Sequence, residues 1–150
     1  MAAKKFKFRL APLLKLREHR EKERQKEHAA AAGEVQKHKQ HLGALDTERI
    51  ETLDHQRERL TGRLSVAEAL VFSRYIMKLK RQRMAGTELL HALEKEAELK
   101  RQKLVEAARD RKIFDLLKEK QQLRHRQEIE KQDQKELDEV AVSPFQRKKC

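Results

Sequence analysis

From Phe72 to Phe114 the chain sets Phe72, Ile76, Leu79, Arg83, Gly86, Leu90, Leu93, Ala97, Lys100, Leu104, Ala107, Arg111 and Phe114 at alternating steps of four and three. Two such steps make seven residues, close to two helical turns, so every position falls on one stripe of an α-helix. Ten of the thirteen are apolar or small, and a strand would need alternation at every second residue instead. The segment therefore reads as one half of a coiled-coil seam. Its three cations, Arg83, Lys100 and Arg111, can lay their aliphatic stems along the stripe with their heads in water, which makes the seam weak.

The upstream half carries a looser version of the same pattern. Ala31, Val35, His38, Leu42 and Leu45 step by four, three, four and three, and Ile50, Leu53, Leu60 and Leu64 continue them. The Leu42/Leu45 and Ile50/Leu53 pairs are offset by eight rather than seven, and the extra residue is expected to unwind the supercoil locally. Gly33 and Gly43 weaken this helix further, by about 1 kcal/mol each relative to Ala.

Between the halves lies Thr61-Gly62-Arg63-Leu64-Ser65-Val66-Ala67-Glu68. Gly62 suits the left-handed conformation that closes a helix, and Ser65 with Glu68 has the S-x-x-E spacing of a capping box that opens one. So short a link folds the second helix back on the first. The expected fold is all-α: a long two-helix antiparallel coiled coil, or helical hairpin, with its turn near residues 61–66. Residues 1–150 form a single domain, with helix one over about 10–61, the tip at 62–65 and helix two over about 66–140. Ser143-Pro144 is expected to end the helix and leave 141–150 as a basic tail.

At the start, Phe6, Phe8 and Leu10 alternate with Lys7 and Arg9, suggesting an extended lead-in, and Pro12 fits a first helical turn. Leu10, Leu13 and Leu14 form a small apolar face. Arg17 to His28 contains no large apolar side chain and is expected to be helical but weakly packed. A turn at residues 63 and 64 makes facing positions sum to about 127, placing Leu10 opposite Leu117. Residues 118–140 then overhang as roughly 30 Å of single helix at about 1.5 Å per residue. Such a helix is marginal alone in water, so it is expected to fray or to dock.

Only 37% of residues are hydrophobic and 41% are charged, too polar for a large globular core but suited to a pair of helices that bury one stripe each. Disorder shares that composition but lacks a sustained repeat. The formal net charge of +12 favours anionic partners without choosing among nucleic acid, acidic membrane and an acidic protein groove. The one cysteine, Cys150, allows no intramolecular disulfide and no Cys-based metal site, which suits a reducing compartment. No apolar run approaches a membrane span, and Met1 to Arg20 lacks the apolar core of a secretory signal. That stretch resembles a mitochondrial presequence in charge but has no Ser or Thr.

Catalytic chemistry is not expected. His38 with His41, and His19 with His125, lack the carboxylates of a metal cage. There is no phosphate loop, nucleophile elbow, H-E-x-x-H or triad, so no catalytic residue, metal or cofactor is assigned. Lys and Arg alternate with Glu along much of both helices, the pattern of a solvated coiled-coil surface; the Lys4–Arg9 cluster is the exception. Near the turn Leu70, Val71, Phe72, Tyr75, Ile76, Met77 and Leu79 crowd more apolar area than one seam can bury. Either the tip curls over them or they form a partner-binding patch.

Three stretches together resemble the FliJ family of flagellar type III export proteins. They are Phe6-Lys7-Phe8-Arg9-Leu10-Ala11-Pro12-Leu13-Leu14-Lys15-Leu16-Arg17, Tyr75-Ile76-x-x-Leu79, and Lys135-Glu136-Leu137-Asp138-Glu139-Val140-Ala141. The resemblance implies a non-enzymatic cytoplasmic stalk, peripheral to the inner membrane and needed for flagellum assembly and motility. It also implies that the paired terminal ends seat in the hexameric export ATPase FliI, and that the gate protein FlhA and export chaperones are further partners. Carried onto this chain, the ATPase-binding end is Phe8, Leu10, Leu13, Leu14, Phe114 and Leu117. The gate-binding row is Tyr75 and Leu79, with Gln82 and Gly86 on the same face although their residue types differ from the family's. Two readings of other classes stand beside this one: a nucleic-acid-binding coiled-coil arm, and a structural coiled coil whose helices pair between chains.

Overall fold

The computed structural model describes the backbone of residues 5–63 and 65–147, and their side chains as far as residue 141. It contains two helices, α1 (Ala11–Leu60) and α2 (Val66–Arg147), packed against each other as a hairpin. Leu10 opens α1: its carbonyl accepts the Leu14 N–H at 3.0 Å, and Pro12 sits in the first turn, where a missing N–H costs nothing.

At the turn the capping box forms as the sequence predicts. Ser65 Oγ accepts the Glu68 N–H at 3.2 Å, while the Ser65 N–H donates to Glu68 Oε2 at 2.9 Å. The Ser65 N–H and the Ser65 hydroxyl, both donating to it, hold the Glu68 carboxyl below its ordinary range, aided by Arg59 nearby. The end of α1 differs from expectation, because Gly62 is not left-handed. Its N–H instead donates to the Arg59 carbonyl at 3.1 Å, and the Thr61 hydroxyl donates to the Glu58 carbonyl at 2.6 Å. A tightened last turn plus a side-chain donor satisfies two of the free carbonyls without a positive φ. Leu64, expected to continue the seam, lies outside the described residues.

The other end also differs. The helix does not stop at Ser143-Pro144 but carries α2 on to Arg147. Proline removes one N–H and crowds the carbonyl four residues back, which can bend a helix without ending it. Of the expected 141–150 tail, residues 148–150 lie outside the described set.

Contacts divide the chain into two compact units. The first comprises the described residues through Glu21 and those from Glu106 onward; the second is Lys22–Val105. In the second, Ala31, Leu45 and Leu79 are buried, with Val35, His38 and Leu42 of α1 and Phe72, Ile76, Leu90 and Leu93 of α2 half-buried beside them. Of the α2 stripe in this unit only Arg83 is exposed; its Nε reaches Asp46 of α1 at 2.6 Å. His55 against Phe72 and Arg59 against Glu68 fall on the register in which facing numbers sum to about 127.

The α1 side of the seam departs from expectation past Leu45. Leu53 is half-buried as expected, but Ile50 and Leu60 are 55% and 57% exposed, and Arg49, Thr52 and Gln56 are half-buried as well. These keep steps of four, three and four from Leu45, so the helix holds its phase and no eight-residue skip occurs. Shifting the contact to Ile50 would require rewinding α1, whereas Arg49 can cover the stripe with its stem. The cost is an Nε that is buried without a hydrogen-bond partner among the described residues.

At Gly86 the helices approach closely. A Cβ there would stand 2.6 Å from Leu42 Cδ2, and the His38 Nε2–H donates to the Gly86 carbonyl at 2.9 Å. A Cβ at Gly43 would meet nothing within 4 Å. Gly43→Ala should therefore stabilise the chain by about 1 kcal/mol. Gly86→Ala should show no such gain, because its methyl must displace Leu42. Urea unfolding checks the contrast, and equal gains at both sites would mean that α2 does not approach α1 at Gly86.

Candidate functional site

Once each helix has given one stripe to its partner, the remaining apolar side chains face outward, and they gather in both units. In the Lys22–Val105 unit the crowded segment after the turn is shared three ways. Phe72, Ile76 and Leu79 face α1, and Leu79 is 3% exposed. Val71, Phe72 and Tyr75 join Glu51, Thr52 and His55 around an open groove of about 460 Å³ between the helices. Val66, Leu70 and Met77 point away from α1 at 80%, 54% and 49% exposure, so the tip does not curl over them.

The row proposed from the resemblance is therefore not one surface. Tyr75 and Gln82 are exposed, Leu79 is core, and Gly86 is the close-approach position. The Tyr75 hydroxyl donates to the Glu48 carboxylate of α1, and that bond, with some desolvation, raises its pKa above the ordinary range. Tyr75 thus stands at the rim of the groove with its ring held in place. Its neighbours on α1, Glu51 and His55, were not read from the sequence, because an antiparallel partner brings them there from a distant part of the chain.

In the other unit Leu14 is buried, at 6%, and Phe8, Leu10, Phe114 and Leu117 are half-buried. Of the six terminal-end residues named from the resemblance, Leu13 is the exposed one, at 44%. Leu16, Ile113, Leu116 and Leu123 join it on the outside at 44%, 63%, 54% and 55%. They went unread because they lie off the repeat. Phe6 of the lead-in packs on His125 with ring centroids 5.7 Å apart, and the half-buried positions on α2 continue through Lys118, Gln121, His125 and Ile129. The uninterrupted exposed run begins at Glu130 rather than at residue 118.

Charges complete this unit. Arg17 reaches Asp110 at 2.7 Å, and its guanidinium lies 5.8 Å from the centre of the Phe114 ring. Arg111 pairs with Glu21 across the helices and with Asp115 along α2 at 2.9 Å. The Arg17–His28 stretch, expected to pack weakly, here carries cross-helix ion pairs, and the Glu21 side chain is only 14% exposed.

Among the described residues no group of His, Cys, Asp or Glu is placed to hold a metal ion, and no helix is long and apolar enough to cross a membrane. What the surfaces offer is apolar area and charge for binding other molecules.

Leu79→Ala should lower stability by about 2–3 kcal/mol, since it empties a buried position. Tyr75→Ala should cost under about 1 kcal/mol, since it frees only an exposed carboxylate. Thermal unfolding by circular dichroism separates the two; a large loss at Tyr75 would make it core as well.

The family model described as "Flagellar FliJ protein" matches residues 6–149. No curated protein and no solved structure matches the chain.

Proposed function

The chain belongs to the flagellar FliJ family, whose model spans nearly its whole length, and from that premise we propose that it is a non-enzymatic stalk coupling the export ATPase to the export gate. Membership implies a role in the flagellar export apparatus; the specific partners are our reading. The terminal-end unit seats in the FliI hexamer, and the groove at Tyr75 contacts FlhA, holding the chain at the cytoplasmic face of the inner membrane through a protein contact. Rearrangement of the hexamer during ATP hydrolysis is felt by the seated helices and passed through the paired coil. Export chaperones are a further class of partner, and flagellum assembly and motility depend on the result.

The observation that supports this reading most is the outward apolar set of the terminal-end unit. Leu13, Leu16, Ile113, Leu116 and Leu123 are 44–63% exposed on helices whose seam residues are already spent on each other. A solvated coiled coil gains nothing from such residues on its outer face, whereas a socket that closes around the pair buries them. The half-buried Phe8, Leu10, Phe114 and Leu117 stiffen the seated end from within. In the gate contact Tyr75 supplies the exposed ring, Gln82 a polar edge, and Leu79 and Gly86 the packing beneath them.

The test is ATP hydrolysis by the cognate export ATPase with and without the chain at physiological salt. Stimulation and co-elution are expected. Ile113→Asp with Leu116→Asp should weaken binding by about tenfold or more while helicity is unchanged. No stimulation by the native chain, or full stimulation by the double variant, would overturn the seating.

A further inference from the structure

The alternation of acids and bases that holds along most of both helices breaks down over a long segment of α2. Between Glu68 and Glu88 there is no acidic residue, and there are five basic ones: Arg74, Lys78, Lys80, Arg81 and Arg83. Arg83 is engaged by Asp46 of α1. The other four are exposed and form no ion pair with a described residue.

The same segment carries a line of exposed apolar side chains. Val66, Leu70, Met77 and Met84 are 80%, 54%, 49% and 61% exposed. At about 100° per residue they fall within an arc of about 40° on the side of α2 turned away from Phe72, Ile76, Leu79 and Gly86. Arg74 and Arg81 flank the line on one side and Lys80 on the other, with Lys78 further round. The result is an apolar centre bordered by unpaired cations, facing solvent along about five turns of helix.

We propose that this outward face of α2, from Val66 to Met84, docks on a membrane surface rich in anionic lipid. Val66, Leu70, Met77 and Met84 enter the boundary between headgroups and acyl chains. Arg74, Lys78, Lys80 and Arg81 lay their stems beside them and meet lipid phosphates. Charge selects the ligand: four cations with no acid among them match a polyanionic surface. The apolar centre then selects lipid over nucleic acid, which would want bases stacked on aromatic rings. The nearby rings lie off this face, since Phe72 faces α1 and Tyr75 stands at the groove between the helices. A single convex helix face also suits a planar, deformable surface. The inference does not depend on the export partners, because the ligand is lipid.

The experiment is flotation of the full chain with vesicles of phosphatidylcholine alone and of phosphatidylcholine mixed with phosphatidylglycerol. The chain should float only with the anionic vesicles, and less at high salt. Each Lys or Arg near an anionic surface contributes about fivefold in affinity, so Arg74→Gln with Arg81→Gln should weaken binding about 25-fold. Leu70→Ser with Met77→Ser should weaken it as well while preserving the preference for anionic vesicles. Lys131→Gln with Lys135→Gln removes the same charge elsewhere and should leave flotation unchanged. Circular dichroism checks that each variant keeps its helicity. Absence of flotation, retained flotation in the Arg74/Arg81 variant, or equal loss in the Lys131/Lys135 variant would overturn the proposal. Vesicle binding indifferent to the Leu70/Met77 change, with equal binding to duplex DNA, would make the face a general polyanion site and overturn it too. The vesicles contain no export protein, so these outcomes leave the stalk reading untouched, and failure of ATPase stimulation leaves this proposal untouched.

Discussion

A pair of helices can hide one stripe of each, and the rest of this structure follows from how the two stripes are filled. On α2 the stripe is mostly apolar from Phe72 to Phe114. On α1 it is filled unevenly, with Leu14, Ala31 and Leu45 buried and Arg17, Glu21, Arg49 and Thr52 taking other positions. The helix keeps its phase through all of them because changing phase would mean rewinding the backbone, whereas a long polar side chain can lie along the seam. Cross-helix pairs such as Arg17 with Asp110 compensate part of the lost apolar contact, although each partly exposed pair contributes little. Within each unit the pairing that results is thin.

That thinness leaves the candidate sites on the outside. Nothing in a two-helix seam excludes water well enough to tune a catalytic group. The informative residues are the apolar ones that the seam did not consume. In one unit these are Leu13, Leu16, Ile113, Leu116 and Leu123; in the other they are Val66, Leu70, Met77 and Met84, beside the groove at Tyr75. Each set fits a different kind of neighbour. The first is spread over two paired helices and suits a socket that closes around them, whereas the second lies on one helix face bordered by four cations and suits an anionic surface.

Much of the fold was legible in the sequence because it depends on local rules. The S-x-x-E cap at Ser65 and Glu68, the start of α1 near Pro12 and the α2 stripe each follow from spacing alone. The α1 seam past Leu45 was legible only at Leu53, since reading apolar residues also led to Ile50 when the helix presents Arg49. Proline at position 144 misled in a similar way, because its usual effect on a helix is not an invariable one. For the candidate sites the residue types did not show which side of the helix each residue takes. Leu79 reads as equivalent to Tyr75 in a linear pattern, and only the partner helix shows that one is core and the other rim. Glu51, Thr52 and His55 complete the groove, and Glu48 holds the Tyr75 hydroxyl, from a part of the chain that nothing near Tyr75 reveals.

Every surface assigned above assumes that α1 and α2 pair within one chain. The most direct measurement is the distance between spin labels at Lys39→Cys and Glu94→Cys, positions whose native side chains meet at 2.8 Å, with Cys150→Ser removing the third thiol. Labelled chain is diluted into an excess of unlabelled chain before the distance is read. A short distance reflecting helix axes about 10 Å apart, undiminished by dilution, is the expected result. A short-distance signal that fades on dilution would show that the helices pair between chains, and would contradict the hairpin on which the account stands.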